Sequence, residues 1–153
     1  MEFNIPGTGS IEIGTIILDL NGTVTVNGRI VRGLKRRLTR LKKKGIRVII
    51  LSGDTRGNAS KVADRLGIEL IKAATQDEKE KAVLKLDPST CASIGNGLID
   101  AKTIESVRLG IVTMQAEGIH VQTLIAADIV VPSVIDALDL FIHEKSLVAT
   151  LRK

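Results

Sequence analysis

Six short, largely aliphatic runs divide this chain: Thr15–Leu18, Val48–Leu51, Ile68–Ile71, Cys91–Ile94, Leu109–Thr113 and Asp128–Val131. Helix-patterned segments separate them. Runs this short and this apolar suit strands buried on both faces, as in a parallel sheet whose crossovers are helices. The aromatic content points the same way. Phe3 and Phe141 are the only aromatics, with no Trp or Tyr, so the core has to be built from Ile, Val and Leu. The expected fold is α/β: a three-layer α/β/α sandwich around a mostly parallel, open, Rossmann-like sheet, with residues 1–153 as a single domain.

The connections are short. Phe3-Asn4-Ile5 and Ile11-Glu12-Ile13 flank Pro6-Gly7 and Gly9-Ser10 and read as a small hairpin or loose edge strands. Val24-Thr25-Val26 and Arg29-Ile30-Val31 flank Asn27-Gly28, the strongest short hairpin signal. Between that hairpin and the second run there is room for one helix, about 31–44, with Leu34, Leu38 and Leu41 on one face and Gly45 at its end. Further helices are expected over about 58–66, 77–86, 99–107, 120–126 and 134–151. No large cap fits anywhere. The hairpin at 24–31 would be the only flap over a site at the strand ends.

Composition excludes some classes. No apolar run approaches the roughly 20 residues needed to cross a bilayer, and Met1–Ile5 lacks the pattern of a signal peptide. The single cysteine, Cys91, sits in an apolar run and reads as a small core residue. A cytoplasmic protein is the expectation. The net charge of +5 is uneven: Arg29 to Arg47 holds ten Lys or Arg and no acid, while the other 12 basic residues face 17 acids. The basic helix at 32–44 could meet a polyanion. It lacks interleaved aromatics, and its charges surround a complete apolar stripe, so nucleic acid is not the expected partner. His120 and His143 lack metal-ligand spacing and read as surface or capping residues.

In an open parallel sheet, ligands bind beyond the carboxyl ends of the strands. Polar clusters follow three of the runs: Asp19-Leu20-Asn21-Gly22-Thr23, Ser52-Gly53-Asp54-Thr55, and Gly95-Asn96-Gly97 with Asp100. Carboxylate and carbonyl oxygens suit a hard cation such as Mg²⁺. Loop amides and a lysine suit phosphate.

These residues carry a resemblance. Ile17-Leu18-Asp19-Leu20-Asn21-Gly22-Thr23-Val24 resembles the first motif of the haloacid dehalogenase superfamily, Asp-x-Asp-Gly-Thr, with Asn21 at the second acid. Ser52-Gly53-Asp54 resembles the second motif in its P-type ATPase form. Asp77-Glu78-Lys79 with Val83 and Leu86 resembles the lysine-bearing third, and Gly95-Asn96-Gly97-Leu98-Ile99-Asp100 the fourth. Leu109–Val112 and Ala126–Val131 resemble segments that follow it in P-type ATPases. The order and spacing hold over about 15–150, closest to cap-less soluble relatives of the P-type ATPase phosphorylation domain.

The resemblance implies a Mg²⁺-dependent phosphohydrolase or phosphotransferase working through an aspartyl phosphate. Asp19 would be nucleophile and metal ligand, and the Asn21 backbone carbonyl a second ligand. Ser52 and the Gly53 amide, with Gly22 and Thr23, would hold the phosphoryl group. Lys79 would neutralise charge, and Asn96 and Asp100 would complete the metal site. Asn21 stands where superfamily phosphatases carry the acid–base aspartate, which implies slow turnover. Two other readings stay open: a weak or inactive phosphate- or metal-binding interaction module, and polyanion binding by the basic helix. The expected substrate is a phosphorylated small molecule or a phosphoprotein, without a membrane; ion pumping is not expected of this chain alone.

Overall fold

A computed structural model describes residues 1–54, 57–115 and 117–153. Thr55 of the second polar cluster lies outside the described residues. At the centre is a six-stranded sheet made of β3 (Thr15–Leu18), β6 (Arg47–Ser52), β7 (Glu69–Lys72), β8 (Cys91–Gly95), β9 (Leu109–Thr113) and β10 (Ile129–Val131). Its order is β10-β9-β8-β3-β6-β7, and every pairing is parallel. Two small antiparallel hairpins stand apart from it: β1 (Glu2–Ile5) with β2 (Gly9–Glu12), and β4 (Thr25–Val26) with β5 (Arg29–Ile30).

The order explains where a site can form. From β3 the chain steps outward through β6 to β7, then returns to pair β8 on the other flank of β3. The loops after β3 and β8 therefore diverge, opening a crevice at the carboxyl edge. Side chains alternate across the sheet with the strand period of two. Ile16, Leu18, Val48 and Ile50 join one core cluster, while Ile17, Ile49 and Leu51 join another on the opposite face. The first cluster is covered by α1 (Leu34–Lys43), α2 (Asn58–Leu66), α6 (Val134–Ile142) and α7 (Glu144–Leu151). The second lies under α3 (Gln76–Leu84), whose Val83 is fully buried in it. On that side α4 (Ala101–Ser106) packs against α3, and α5 (Val121–Ala126) against α4. The three-layer α/β/α architecture is the one the sequence pattern predicts, with no large cap inserted.

The two aromatics meet. Phe3 and Phe141 pack edge to face with centroids 6.3 Å apart, fastening the first hairpin to α6. Part of the basic segment is used structurally: Arg37 makes paired bonds of 2.9 and 2.7 Å to Asp139 of α6, and Lys44 meets Glu144 of α7 at 2.8 Å. Cys91 is buried in the second cluster, as its apolar surroundings predict. His120 accepts from the Gln122 amide at 3.2 Å and caps α5.

Several boundaries move from those read in the sequence. The first helix begins at Leu34, not near Val31, because Gly33 adopts φ +85°, outside helical space. The helix expected at 77–86 runs from Gln76 to Leu84. Thr75 and Glu78 form a reciprocal capping box at its start. The segment expected as one helix over 99–107 opens with a 3₁₀ turn, Leu98–Asp100, before α4. Among the described residues, no helix is long and apolar enough to cross a membrane.

Candidate active site

Asp19 is the first residue past β3, and its amide donates to the Ile94 carbonyl of β8 at 2.9 Å. That bond fixes the residue at the strand crossover. The chain then turns tightly. Leu20 and Val24 are fully buried anchors, Gly22 takes φ +78°, and the Thr25 amide donates back to the Leu20 carbonyl at 2.8 Å. Asn27 (φ 51°) and Gly28 (φ 73°) then fold the flap hairpin through two left-handed residues, as a tight hairpin turn demands.

The cavity at this edge has a volume of about 400 Å³. Asp19, Asn21, Ser52, Gly53, Lys79, Asn96 and Asp100 all line it, so residues spread over eighty positions converge in space. Gly22 and Thr23, implied as phosphate contacts, do not reach it. Thr23 is fully buried, and its hydroxyl points to Asn96 Oδ1 at 3.5 Å, so the pair supports the loop from behind. A second cleft, of about 470 Å³, lies between α1 and the β7 edge. Its one carboxylate, Glu69, is already paired with Arg47 at 2.6 Å, which leaves that cleft without reactive chemistry.

Lys79 organises the centre. It sits on α3 with its side chain 3% exposed, and its Nζ donates to Asp19 Oδ1 at 2.7 Å and to Asp100 Oδ1 at 2.8 Å. The second Asp100 oxygen accepts from the Asn96 and Gly97 amides at 3.2 and 3.1 Å and shapes the loop after β8. Gly95 is required beside it: a Cβ there would stand 2.7 Å from Asp100 Cγ. On the facing lip, Ser52 is 4% exposed and its Oγ accepts from the Asp54 amide at 3.2 Å, which leaves the hydroxyl hydrogen available to an anion. Asn21 is exposed, and its Oδ1 accepts from the Thr25 hydroxyl at 3.4 Å.

The electrostatics follow from burial. Asp19 is raised from 3.8 to about 6, chiefly because burial disfavours its charge and then because Asp100 repels it; Lys79 pulls the other way. Burial alone would lower the Lys79 ammonium, but attraction by Asp19 and Asp100 outweighs it, and its pKa is raised. One ammonium thus serves two buried carboxylates, leaving an excess negative charge that a further cation would relieve. The donors are all oxygens, which suits Mg²⁺. Among the described residues, no three acidic, His or Cys side chains converge as a ready-made metal cluster. Of the expected donors, Asn21 offers its backbone carbonyl and Asn96 a neutral side-chain amide. The residues fit a hard cation, with one charged ligand fewer than an Asp at position 96 would give.

One charged lining residue belongs to none of the four motifs. Glu117, in the loop between β9 and α5, reaches the cavity beside Asn96. Its only sequence signal is an acid followed by glycine, which by itself reads as a turn.

A family model described as haloacid dehalogenase-like hydrolase matches residues 15–108. A copper-transporting ATPase of Helicobacter pylori is 35% identical over 102 residues, covering 65% of this chain and 13% of that protein. A silver exporting P-type ATPase of Salmonella typhimurium is 28% identical over 122 residues, covering 73% of this chain and 14% of that protein. The chain therefore spans about a seventh of the length of these pumps. Among solved structures, the 3-deoxy-D-manno-octulosonate 8-phosphate phosphatase of Moraxella catarrhalis, in complex with magnesium, phosphate and a KDO molecule, superposes with a TM-score of 0.73. It is 23% identical, and the match covers 92% of this chain and 94% of that one. With the motif residues gathered at one sheet edge and the family model matching more than half of its length, the chain belongs to the haloacid dehalogenase-like hydrolases.

Proposed function

We propose that this protein is a Mg²⁺-dependent phosphohydrolase or phosphotransferase that forms an aspartyl phosphate on Asp19. One observation carries the reading: a buried ammonium, Lys79, bridges two buried carboxylates, Asp19 and Asp100, and all three line one polar cavity. Oδ1 of Asp19 is held by Lys79, which leaves Oδ2 to attack phosphorus in line. The bond from phosphorus to the ester oxygen breaks, and the leaving oxygen takes a proton from water. Ser52 and the Gly53 amide hold phosphoryl oxygens at the opposite lip, and Lys79 offsets their charge. Mg²⁺, when bound, would neutralise further phosphoryl charge; Asp19, the Asn21 carbonyl, Asn96 and Asp100 would hold it.

Water then cleaves the acyl phosphate. Asn21 can orient that water but cannot take its proton, so the second step is the slow one. Asn21→Asp is expected to raise p-nitrophenyl phosphate hydrolysis in Mg²⁺ by roughly 10-fold or more, measured as p-nitrophenol release. A variant no faster than the parent means that position 21 does not face the attacking water. Beryllofluoride trapped on Asp19 supports the reading even where turnover is slow; a parent protein that neither releases nor traps a phosphoryl group is an interaction module instead. The open cavity and two-residue flap strands suit a phosphorylated small molecule or an exposed phosphoresidue on a protein.

A second reading has one observation in its favour. Beyond the paired Arg37 and Lys44, the basic segment contributes Arg32 ahead of α1 and Lys35 and Arg36 on it to a cleft shared with Arg65 of α2. An adjoining cleft brings in Arg29 of the flap and Lys61. Asp64 is the only acid lining either. A polyanion bound there would show a salt-dependent mobility shift with nucleic acid, lost in the Arg32→Ala, Arg36→Ala, Arg65→Ala triple variant. No shift at low ionic strength makes these charges a solvated surface.

A further inference from the structure

Glu117 reaches the proposed site from a loop that the motifs do not include, and that loop is fastened to the site on both sides of it. On one side, Gln115 Nε2 donates to the Gly22 and Thr23 carbonyls at 2.7 and 2.9 Å, while its Oε1 accepts from the Val134 amide of α6 at 3.1 Å. On the other, Asn96 Nδ2 donates to the Gly118 carbonyl at 3.0 Å, and the His120 amide donates to the Asn96 carbonyl at 2.9 Å. The Glu117 carboxylate follows from these anchors. A Cβ on Gly22 would stand 2.9 Å from Glu117 Oε2 and 2.7 Å from Asn96 Nδ2, so carboxylate and amide flank one point beside the Asp19 loop. Among the described residues, Glu117 has no ion-pair partner.

An exposed glutamate on a loose loop would need no explanation. Glu117 is exposed, but five hydrogen bonds hold its loop on both sides, beside a cavity where Asn96 contributes an amide oxygen without charge. We propose that Glu117 supplies, through bound water, the negative charge at the cation site that the Asn96 amide leaves missing. The inference rests on the reading of this cavity as a Mg²⁺ site. It assigns Glu117 a place in outer coordination, where water bridges a carboxylate to a hydrated Mg²⁺ that keeps several of its waters. Direct ligation is left to the donors around Asp19.

The test is titration calorimetry with Mg²⁺ alone on the intact chain. Glu117→Gln is expected to weaken binding by on the order of 10-fold, with an unchanged melting temperature in EDTA. Glu105→Gln removes the same charge from an exposed position on α4 and is expected to bind as the parent does. Asn96→Asp added to Glu117→Gln should recover most of the lost affinity, because it returns a charge to the same place. Mg²⁺ affinity in Glu117→Gln equal to that of the parent overturns the proposal and leaves the cation site standing. So does tighter binding of inorganic phosphate with unchanged Mg²⁺ affinity, which would make Glu117 a repulsive charge at the mouth. If the parent binds no Mg²⁺, or Asp19→Asn binds it as well as the parent, the underlying reading of the cavity fails.

Discussion

Asp19→Asn is expected to abolish phosphoryl release while making the metal-free protein more stable above about pH 6. The first half follows from the proposed chemistry: the attacking oxygen becomes an amide, and loss of a nucleophile costs on the order of 10⁴-fold or more. The second half follows from burial. Asp19 is raised from 3.8 to about 6, with burial the largest cause and Asp100 the next. Between those two values the folded protein keeps a proton that the unfolded chain has released. Stability therefore falls as pH rises through that window and stays lower above it. Asparagine carries no charge to desolvate and keeps an oxygen for Lys79, so the variant escapes this loss. At about 1.4 kcal/mol per pKa unit, the gain at pH 8 is at most about 3 kcal/mol. Mg²⁺ should reverse the order, since a ligand bound only by the folded parent stabilises it, by about 2.7 kcal/mol at 100 times its dissociation constant. Urea melts at pH 5 and pH 8, in EDTA and in excess Mg²⁺, measure all of this. A variant less stable than the parent at pH 8 in EDTA would mean that the Lys79–Asp19 attraction exceeds the cost of burying the carboxylate.

That trade-off also marks what can be read from a sequence and what cannot. The sheet was legible because its strands are aliphatic runs that end in polar turns. Ile16 and Leu18 facing one cluster and Ile17 the other is the pattern of a strand covered on both sides. The site residues were legible as far as they follow strands: Asp19, Ser52 and Asn96 each come within one residue of a strand end. Lys79 was harder. The segment Gln76–Lys81 holds Asp77, Glu78, Glu80 and Lys81 besides Lys79, which alone reads as a solvated helix face. Only the resemblance to a lysine-bearing motif singled it out, and only the fold shows that α3 turns it inward to two acids. Glu117 was out of reach, because its position depends on bonds from Gln115, Asn96 and His120 that no local pattern encodes. The late start of α1 is a backbone matter: Gly33 at positive φ ends the flap before the helix begins, although the apolar period continues through it.

Lys79→Met is expected to cost about 3–5 kcal/mol of stability at pH 8 in EDTA, more than any other single change in the site, because it leaves two buried carboxylates without their cation. Asp19 and Asp100 are 13% and 5% exposed, so water cannot take over the role. The pH dependence follows from sign. With the ammonium gone, the influence that lowers Asp19 is lost, so its folded pKa rises further above that of the unfolded chain. The penalty is therefore largest at neutral and alkaline pH and shrinks towards pH 5 as Asp19 takes up its proton. In the parent, the raised Lys79 contributes stability that is complete below about pH 10.5 and lost only as pH climbs through its folded value. Adding Asp19→Asn to Lys79→Met removes one of the stranded charges and should return part of the loss, so the two substitutions are strongly non-additive. Denaturant midpoints for the two single variants and the double variant at pH 5 and pH 8 provide the measurement. A Lys79→Met deficit below about 1 kcal/mol, or one that does not change with pH, would mean that Lys79 is not what holds the two carboxylates together.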